Sequence, residues 1–280
     1  MARLAALIAL LLAAAAAVAS CGGDDISPDS VAEAAANTLG ARTAHATIRA
    51  TVENDALPAP VRMTGDGDVD FRHKLTQLRM RAAIPGTDQQ FQIDEILEGE
   101  GLVMYMSSPQ LAAQLPGGKD WVKIDLVKTS KQLGIDLSAL PQGSQSDPMA
   151  TLRYLKSVSD VEKVGDEELD GVPTTHYKAT IDVRRYVKLV PQERRAAARR
   201  SVDRLVELMG GKSTIPVEVW VDENELVRRQ TMEMDTKVPS AGVMHMRMEF
   251  DFSDFGKDVD VGVPDDSDTV DATELAGAGG

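Results

Sequence analysis

The sequence predicts an α+β fold: a single highly curved antiparallel sheet, a half-barrel of about eleven strands, with helices covering its concave face. Three observations lead there. From about residue 44 apolar residues recur with period 2, as in Ala44, Ala46, Ile48, Ala50 and Val52, and this pattern returns until about residue 253. The strand-like runs are joined by short turn sequences, which makes sequence neighbours antiparallel. Convincing helix-like segments occur only at the start, in the middle and before the final meander, and no composition shift marks a second domain.

Residues 1–20 carry one positive charge, Arg3, followed by an apolar run over 4–18 and small residues up to Cys21. This is the layout of a secretory signal, and the run is too short and too rich in Ala for a comfortable membrane-spanning helix. Ending on Val18-Ala19-Ser20-Cys21, it resembles the lipobox of bacterial lipoproteins, with Val18 where Leu is more usual. That resemblance implies a diacylglyceryl group on the Cys21 sulfur, cleavage just before it, and a chain lipid-anchored to the outer side of the bacterial cell membrane. An ordinary cleaved signal followed by an exported thiol is the alternative. The sequence holds no second cysteine to pair with Cys21. Residues 21–26, containing Gly22-Gly23-Asp24-Asp25, suit a flexible tether.

The folded domain is expected over 27–256. Ser27 can cap a first helix, with Pro28 in its first turn, capping-box spacing between Ser30 and Glu33, and Gly40 at its end. Its side chains are mostly Ala, which suits close packing. A strand from residue 44 and another through Val61, Met63, Val69 and Phe71 flank Pro58 and Pro60. Further strand runs are 74–83, 89–98, 101–107 and 119–125, separated by turn material at Pro85-Gly86, 99–101 and 116–118. Over 127–148 Ser, Gln, Gly, Pro and Asp accumulate around Leu133, Ile135, Leu137 and Leu140. Such a stretch is either a lid or binding loop, or an insertion covering a sheet end.

Asp147 and Pro148 then open a helix with Met149, Leu152, Leu155 and Val158 along one side. Strands resume at 161–169 and 173–183, joined by the hairpin signal Asp170-Gly171. Residues 191–209 read as an Ala- and Arg-rich helix ended by Gly210-Gly211, and strands 215–222, 225–235 and 242–253 close the domain. Residues 257–280, rich in Asp, Gly and Ala, read as an acidic disordered tail.

Composition narrows the chemistry. A single cysteine excludes a disulfide framework and a Cys-based metal site, and a net charge of -14 makes nucleic acid an improbable partner. His45, His73, His176 and His245 lie on different strands without ligand-like spacing, so no metal is expected. No Gly-rich phosphate loop, Gly-x-Ser-x-Gly elbow or His-Glu-x-x-His helix occurs, so no catalytic residue and no cofactor is assigned and no enzyme is expected.

The last long strand is the most informative segment after the signal. Met244, Met246, Met248, Phe250 and Phe252 point one way; His245, Arg247, Glu249 and Asp251 point the other. Met232 and Met234, and Met104 and Met106, alternate in the same manner. Unbranched, polarizable Met makes a wall that adapts to flexible guests, although any one-sided sheet core carries such a stripe. Economy of helices favours a cavity over a filled core. The lipid-cavity candidates, taken on alternation alone, are Met63, Phe71, Phe91, Ile93, Met104, Met106, Leu152, Leu155, Val219, Met232, Met234, Met244, Met246, Met248 and Phe250.

One basic concentration stands out in this acidic chain: Arg184, Arg185, Lys188, Arg194, Arg195, Arg199, Arg200 and Arg204. It is either a solvated helix face with Glu193 and Asp203 as partners or a contact for anionic lipid headgroups. The headgroup candidates are Arg194, Arg195, Arg199 and Arg200.

The hairpin Leu169-Asp170-Gly171-Val172-Pro173-Thr174-Thr175-His176-Tyr177 and the run Pro216-Val217-Glu218-Val219-Trp220-Val221-Asp222 before Leu226-Val227-Arg228-Arg229 complete a pattern with Val18-Ala19-Ser20-Cys21 and the helix after it. Together they resemble the actinobacterial LppX/LprG group of envelope lipoproteins over about residues 27–256, and more distantly the LolA/LolB carriers. The resemblance implies a half-barrel wrapped over helices, enclosing a hydrophobic cavity for lipid or glycolipid chains. It further implies carriage or presentation of those lipids in the cell envelope, with an envelope transport partner and without a catalytic residue. A non-transporting sensor or scaffold lipoprotein of the same fold is the alternative.

Overall fold

The computed structural model describes residues 28–54, 57–83, 90–99, 102–132, 134–136, 159–238, 242–272 and 275. Cys21, the tether, and the expected helix carrying Leu152 and Leu155 lie outside the described residues.

The chain opens with α1 (Pro28–Gly40), then runs through β1 (Thr43–Asn54), β2 (Val61–Asp70), β3 (Leu75–Ala83), β4 (Gln90–Glu98) and β5 (Val103–Ser107). A single helical turn, α2 (Pro109–Ala112), leads to β6 (Trp121–Asp125) and α3 (Leu126–Gln132). The second half comprises β7 (Ser159–Leu169), β8 (Val172–Asp182), a 3-10 segment (Val183–Lys188), α4 (Arg195–Leu208), β9 (Thr214–Asp222), β10 (Val227–Val238) and β11 (Gly242–Ser253), with β12 (Thr269–Asp271) at the end.

All twelve strands form one open sheet in the order β12-β6-β5-β4-β3-β2-β1-β11-β10-β9-β8-β7. Every neighbouring pair is antiparallel except β12 with β6, which is parallel. The first half therefore meanders outward from β1 toward one margin, and the second half starts at the opposite margin with β7 and meanders back until β11 pairs with β1. The connection between β6 and β7 consequently has to cross the width of the sheet. Its described beginning runs toward α4: the Asp136 amide donates to Ser201 Oγ at 3.0 Å, and Ile135 is buried.

Local chemistry explains the joints. Asp170 and Gly171 both have positive φ, 50 and 82°, the backbone that a two-residue hairpin between β7 and β8 requires. At the β9–β10 turn the buried Asp222 carboxylate accepts from the amides of Asn224 and Leu226 and from Arg228 Nε at 2.7 Å. Thr38 of α1 accepts the Val227 amide at 2.9 Å, which ties the helix to β10. The small buried side chains Ala32, Ala34 and Ala35 let α1 lie close against the sheet.

Two expectations need correction. The acidic tail is ordered over Asp266–Asp271, because Val270, 3% exposed, plugs an apolar side chain beside Val122 and extends the sheet along β6. Residues 126–132 are helical and not irregular, since the Asp125 carboxylate accepts the Lys128 amide at 2.8 Å and so starts α3 where β6 stops. The single antiparallel sheet of about eleven strands is as expected, with β12 as a twelfth.

The two faces of the sheet differ sharply. Outward residues pair by charge across neighbouring strands: Arg49 with Glu249 and Asp251, Arg229 with Asp251, Arg247 with Glu233, His245 with Asp235, Arg79 with Asp94. Such half-exposed pairs add little stability each, but a one-residue slip would turn all of them inward, so they reinforce the register. The other face is apolar, and two glycines of β2 point into it. A Cβ on Gly67 would sit 1.9 Å from the Gln77 carbonyl oxygen and 2.9 Å from the Leu78 Cα; one on Gly65 would sit 2.2 Å from Met80 Sδ. Glycine here lets β3 fold inward over β2, the bend that a curved sheet needs.

Gly67→Ala must displace backbone, whereas Gly65→Ala chiefly displaces the end of a flexible Met80. We expect Gly67→Ala to lower unfolding free energy by ~2–3 kcal/mol in denaturant titration, and Gly65→Ala by clearly less. Equal effects would contradict a bend centred on Gly67.

Candidate functional site

The antiparallel registers set the inward side chains in rows running across the sheet. One row reads Ala179, Val217, Met232, Met248, Ala50, Met63, Ala82 and Phe91; the next reads Tyr177, Val219, Gln230, Phe250, Ile48, Gly65, Met80 and Ile93. Small residues therefore interrupt the large ones along each row, Ala50 between Met248 and Met63 and Gly65 between Ile48 and Met80. The sequence candidates gather on this face. Met63, Phe71, Val219, Met232, Met234, Met244, Met246, Met248 and Phe250 belong to the main apolar cluster; Ile93, Met104 and Met106 belong to a second one beside β6 and β12.

Their burial is uneven, and the unevenness is organised. Val219 and Met104 at 1% and Met248 at 2% are packed inside the protein. Met63, Phe91, Ile93 and Met234 are only half-buried, as are their inward neighbours Val61, Met80, Val161, Ile181 and Ile215. All nine lie in the half of the face reached from the β1–β2 and β10–β11 connections. In the opposite half, beside α1, Ala44, Ala46, Val69, Val221 and Val227 are each at or below 5% exposed, while Phe71 and Phe255 are half-buried.

Among the described residues two buried polar side chains, Glu95 and Gln230, interrupt the inward face of the strands. Glu95 on β4 stands between Leu78 of β3 and Met106 of β5 in the register, with Ile93 and Leu97 as the inward residues on either side along its own strand. It is 5% exposed, and no described residue hydrogen-bonds its carboxyl group. Burial pushes its pKa up to about 7. Gln230 on β10, also 5% exposed, faces inward between Phe250 and Val219. Sequence reasoning passed over Glu95, although Phe91, Ile93 and Leu97 alternate with it in one phase. Ile96, 3% exposed on the opposite face, made the phase of this strand ambiguous.

The basic segment divides in two. Arg184 pairs with Asp203 at 3.2 Å, Arg204 with Glu207 at 2.6 Å, and Arg195 donates to the carbonyl oxygens of Val190 and Lys188. Arg194, Arg199 and Arg200 are exposed, and among the described residues none of them has an acidic partner. The apolar residues of α4 face the other way: Val202 and Val206 pack with Val183, Tyr186 and Ile215.

Two of the strand motifs singled out in the sequence meet in a structural joint on the outward face. His176 stacks on Trp220 with ring centroids 4.2 Å apart and planes 8° from parallel. Its Nε2 lies 2.8 Å from Glu218 and its Nδ1 3.1 Å from Glu167, while the Trp220 indole N–H donates to Glu167. A cleft of 360 Å³ opens nearby at the β8–β9 end, lined by Asp166, Thr174, Thr175, Asp222, Glu223 and Glu225 among others, and none of the lipid-cavity candidates lines it. Among the described residues no group of three His, Cys, Asp or Glu could hold a metal ion, and no helix is long and apolar enough to cross a membrane.

No family model matches the sequence. The chain is 29% identical over 180 residues to an uncharacterised 31.2 kDa protein of Streptomyces griseus, covering 63% of this chain and 56% of that one. It is 25% identical over 170 residues to a putative lipoprotein of Streptomyces coelicolor, covering 60% and 48%. The chain thus spans about half the length of the curated relatives it matches. Among solved structures, it is similar to the lipoprotein LppX of Mycobacterium tuberculosis, at 18% identity and a TM-score of 0.43 over 82% of this chain and 97% of that one. It is also similar to LprF of Mycobacterium bovis, at 16% identity and a TM-score of 0.40 over 83% and 94%.

The raised pKa of Glu95 has a sign. A carboxyl whose folded-state value exceeds its unfolded one costs stability only where the unfolded chain ionises and the folded one resists, so the penalty is absent at low pH. It grows from about pH 4.5 to about pH 7 and is constant above. Glu95→Gln is therefore expected to match wild type near pH 4 and to exceed it by ~3 kcal/mol near pH 8 in denaturant unfolding. A difference that stays constant across this range contradicts the assignment.

Proposed function

We propose that this chain is an exported lipoprotein, anchored through Cys21, that binds the acyl chains of a lipid or glycolipid on the inner face of its sheet and carries or presents them in the cell envelope. The observation that carries this reading is the collection of half-buried Met63, Met80, Phe91, Ile93 and Met234 at one end of an apolar face whose other end leaves Phe71 and Phe255 half-buried and is otherwise closed. A core with no guest has every reason to seal that end as well.

The energetics suit a carrier. Taking one ~16-carbon chain through water costs on the order of 10 kcal/mol at ~0.8 kcal/mol per CH2, and an apolar wall that replaces the membrane interior removes most of that barrier. No covalent step is involved. Met side chains, with free rotation about unbranched bonds, can refill the wall as a chain leaves. A diacylglyceryl anchor gives durable attachment where one acyl chain gives only reversible binding, so the protein stays at the surface from which its guest comes. Exposed Arg199 and Arg200 on α4, with Arg194 just before it, would then approach anionic headgroups, each at about 1 kcal/mol near a charged surface.

Two measurements test this reading. Native mass spectrometry of the chain bearing Cys21→Ser, extracted gently, is expected to show mass additions of acyl lipids; the bare polypeptide mass alone would favour a core filled by its own side chains. In flotation with vesicles, the same protein is expected to bind anionic vesicles several-fold better than zwitterionic ones. Arg199→Ala with Arg200→Ala should remove most of that difference, and binding indifferent to both lipid charge and these substitutions refutes the headgroup role.

A further inference from the structure

We infer that Glu95 is a specificity residue that receives a hydroxyl group borne on the hydrocarbon chain of the guest, so that the protein selects hydroxylated acyl chains over plain ones. The inference rests on the acyl-chain reading above and adds to it the chemical class of the chain.

The argument starts from placement. Glu95 is 5% exposed, faces inward, and has no hydrogen-bond partner among the described residues. Its register neighbours Leu78 and Met106 and its strand neighbours Ile93 and Leu97 are all apolar. Among the described residues no fully enclosed side-chain oxygen lacks a partner, so the Glu95 carboxyl keeps its small residual exposure, and a guest that covered it with plain methylene groups would leave it unpaired at a cost. Its depth is equally informative. Phe91 and Ile93, the half-buried inward residues of β4, lie toward the open end, and Glu95 follows Ile93 on the same face. Two steps of a pleated strand carry it roughly 13 Å inward from Phe91. A guest entering from that end chain-first brings methylene groups to this depth and leaves its headgroup outside. A polar partner for Glu95 must then sit along the chain itself.

The donor type follows from the acid. With a pKa of about 7, Glu95 populates both protonation states near neutrality. A hydroxyl O–H satisfies either one, because carboxylate and carboxylic acid both present an oxygen that accepts. An ester or ketone carbonyl or an anionic oxygen accepts only from the protonated form and leaves the ionised one unpaired. A buried acceptor built to meet a hydroxyl discriminates strongly against a chain that lacks it, since the plain chain leaves the carboxyl unpaired.

The test is a competition. The full chain bearing Cys21→Ser is equilibrated with equal amounts of methyl 12-hydroxystearate and methyl stearate, and the retained lipids are quantified after removal of free lipid. Wild type is expected to retain the hydroxylated ester at least about tenfold better, given a hydrogen bond to an otherwise unpaired buried carboxyl. Glu95→Leu, which suits an apolar wall and so folds readily, should bind both esters with the preference abolished. Glu95→Gln keeps an accepting oxygen and should keep a preference. Equal retention of the two esters by wild type, or a preference that survives in Glu95→Leu, overturns the inference and leaves acyl-chain binding intact. Retention of neither ester by wild type overturns both.

Discussion

The structure depends on keeping one face of a twelve-strand sheet dry while the other stays in water. Antiparallel registers place every second side chain on the same side, so a single phase error anywhere would expose Met and Phe and bury Arg and Asp. Alternation on β11 states the constraint most plainly, with Met244, Met246, Met248, Phe250 and Phe252 inward and His245, Arg247, Glu249 and Asp251 outward. Charge pairs such as Arg49 with Glu249 and Arg229 with Asp251 hold that phase from outside. A sheet of this width must also bend if its apolar face is to find partners, and the bend is made in the backbone. Gly67 opposes Leu78 where no side chain fits, and Gly65 yields its place to Met80.

Coverage of the dry face is where structure passes into function. The two longest described helices over it are both built for contact at short range. α1 approaches through Ala32, Ala34 and Ala35, and α4 through Ala198, Ser201, Val202 and Val206. They cover the half near α1 and the corner near Val183, and they leave the end holding Met63, Phe91 and Ile93 half-open. Topology adds a further element, because the chain must travel from β6 at one margin to β7 at the other. The Asp136–Ser201 hydrogen bond brings the start of that connection against α4.

Much of this was legible in the amino-acid sequence because it is written locally. Asp170-Gly171 specifies its hairpin through two residues that tolerate positive φ, and the Met stripe of β11 specifies its face by period alone. What was not legible depends on a partner strand. Gly65 and Gly67 look like weak points in a strand until β3 is laid beside them. Val270 looks like an isolated apolar residue in an acidic tail until the free edge of β6 is in view. Asp125 served two roles at once, ending β6 and capping α3, and the strand pattern hid the second. Glu95 was masked by its neighbour Ile96, which is buried on the other face by Tyr105 and the surrounding strand and so blurs the period. Single-residue departures from the pattern were the hardest to read, and in the apolar wall they are the ones most tied to specificity.

The central claim is that hydrocarbon of a guest lies against the inward Met and Ile side chains of the open end. A photo-activatable diazirine placed near the end of a palmitoyl chain tests this most directly, since it labels whatever touches the chain. After irradiation and peptide mapping, the account predicts adducts on peptides containing Met63, Met80, Ile93 and Met234. Adducts confined to outward-facing peptides such as those carrying Arg247 or Arg79, or none above the level seen without protein–lipid equilibration, would contradict it.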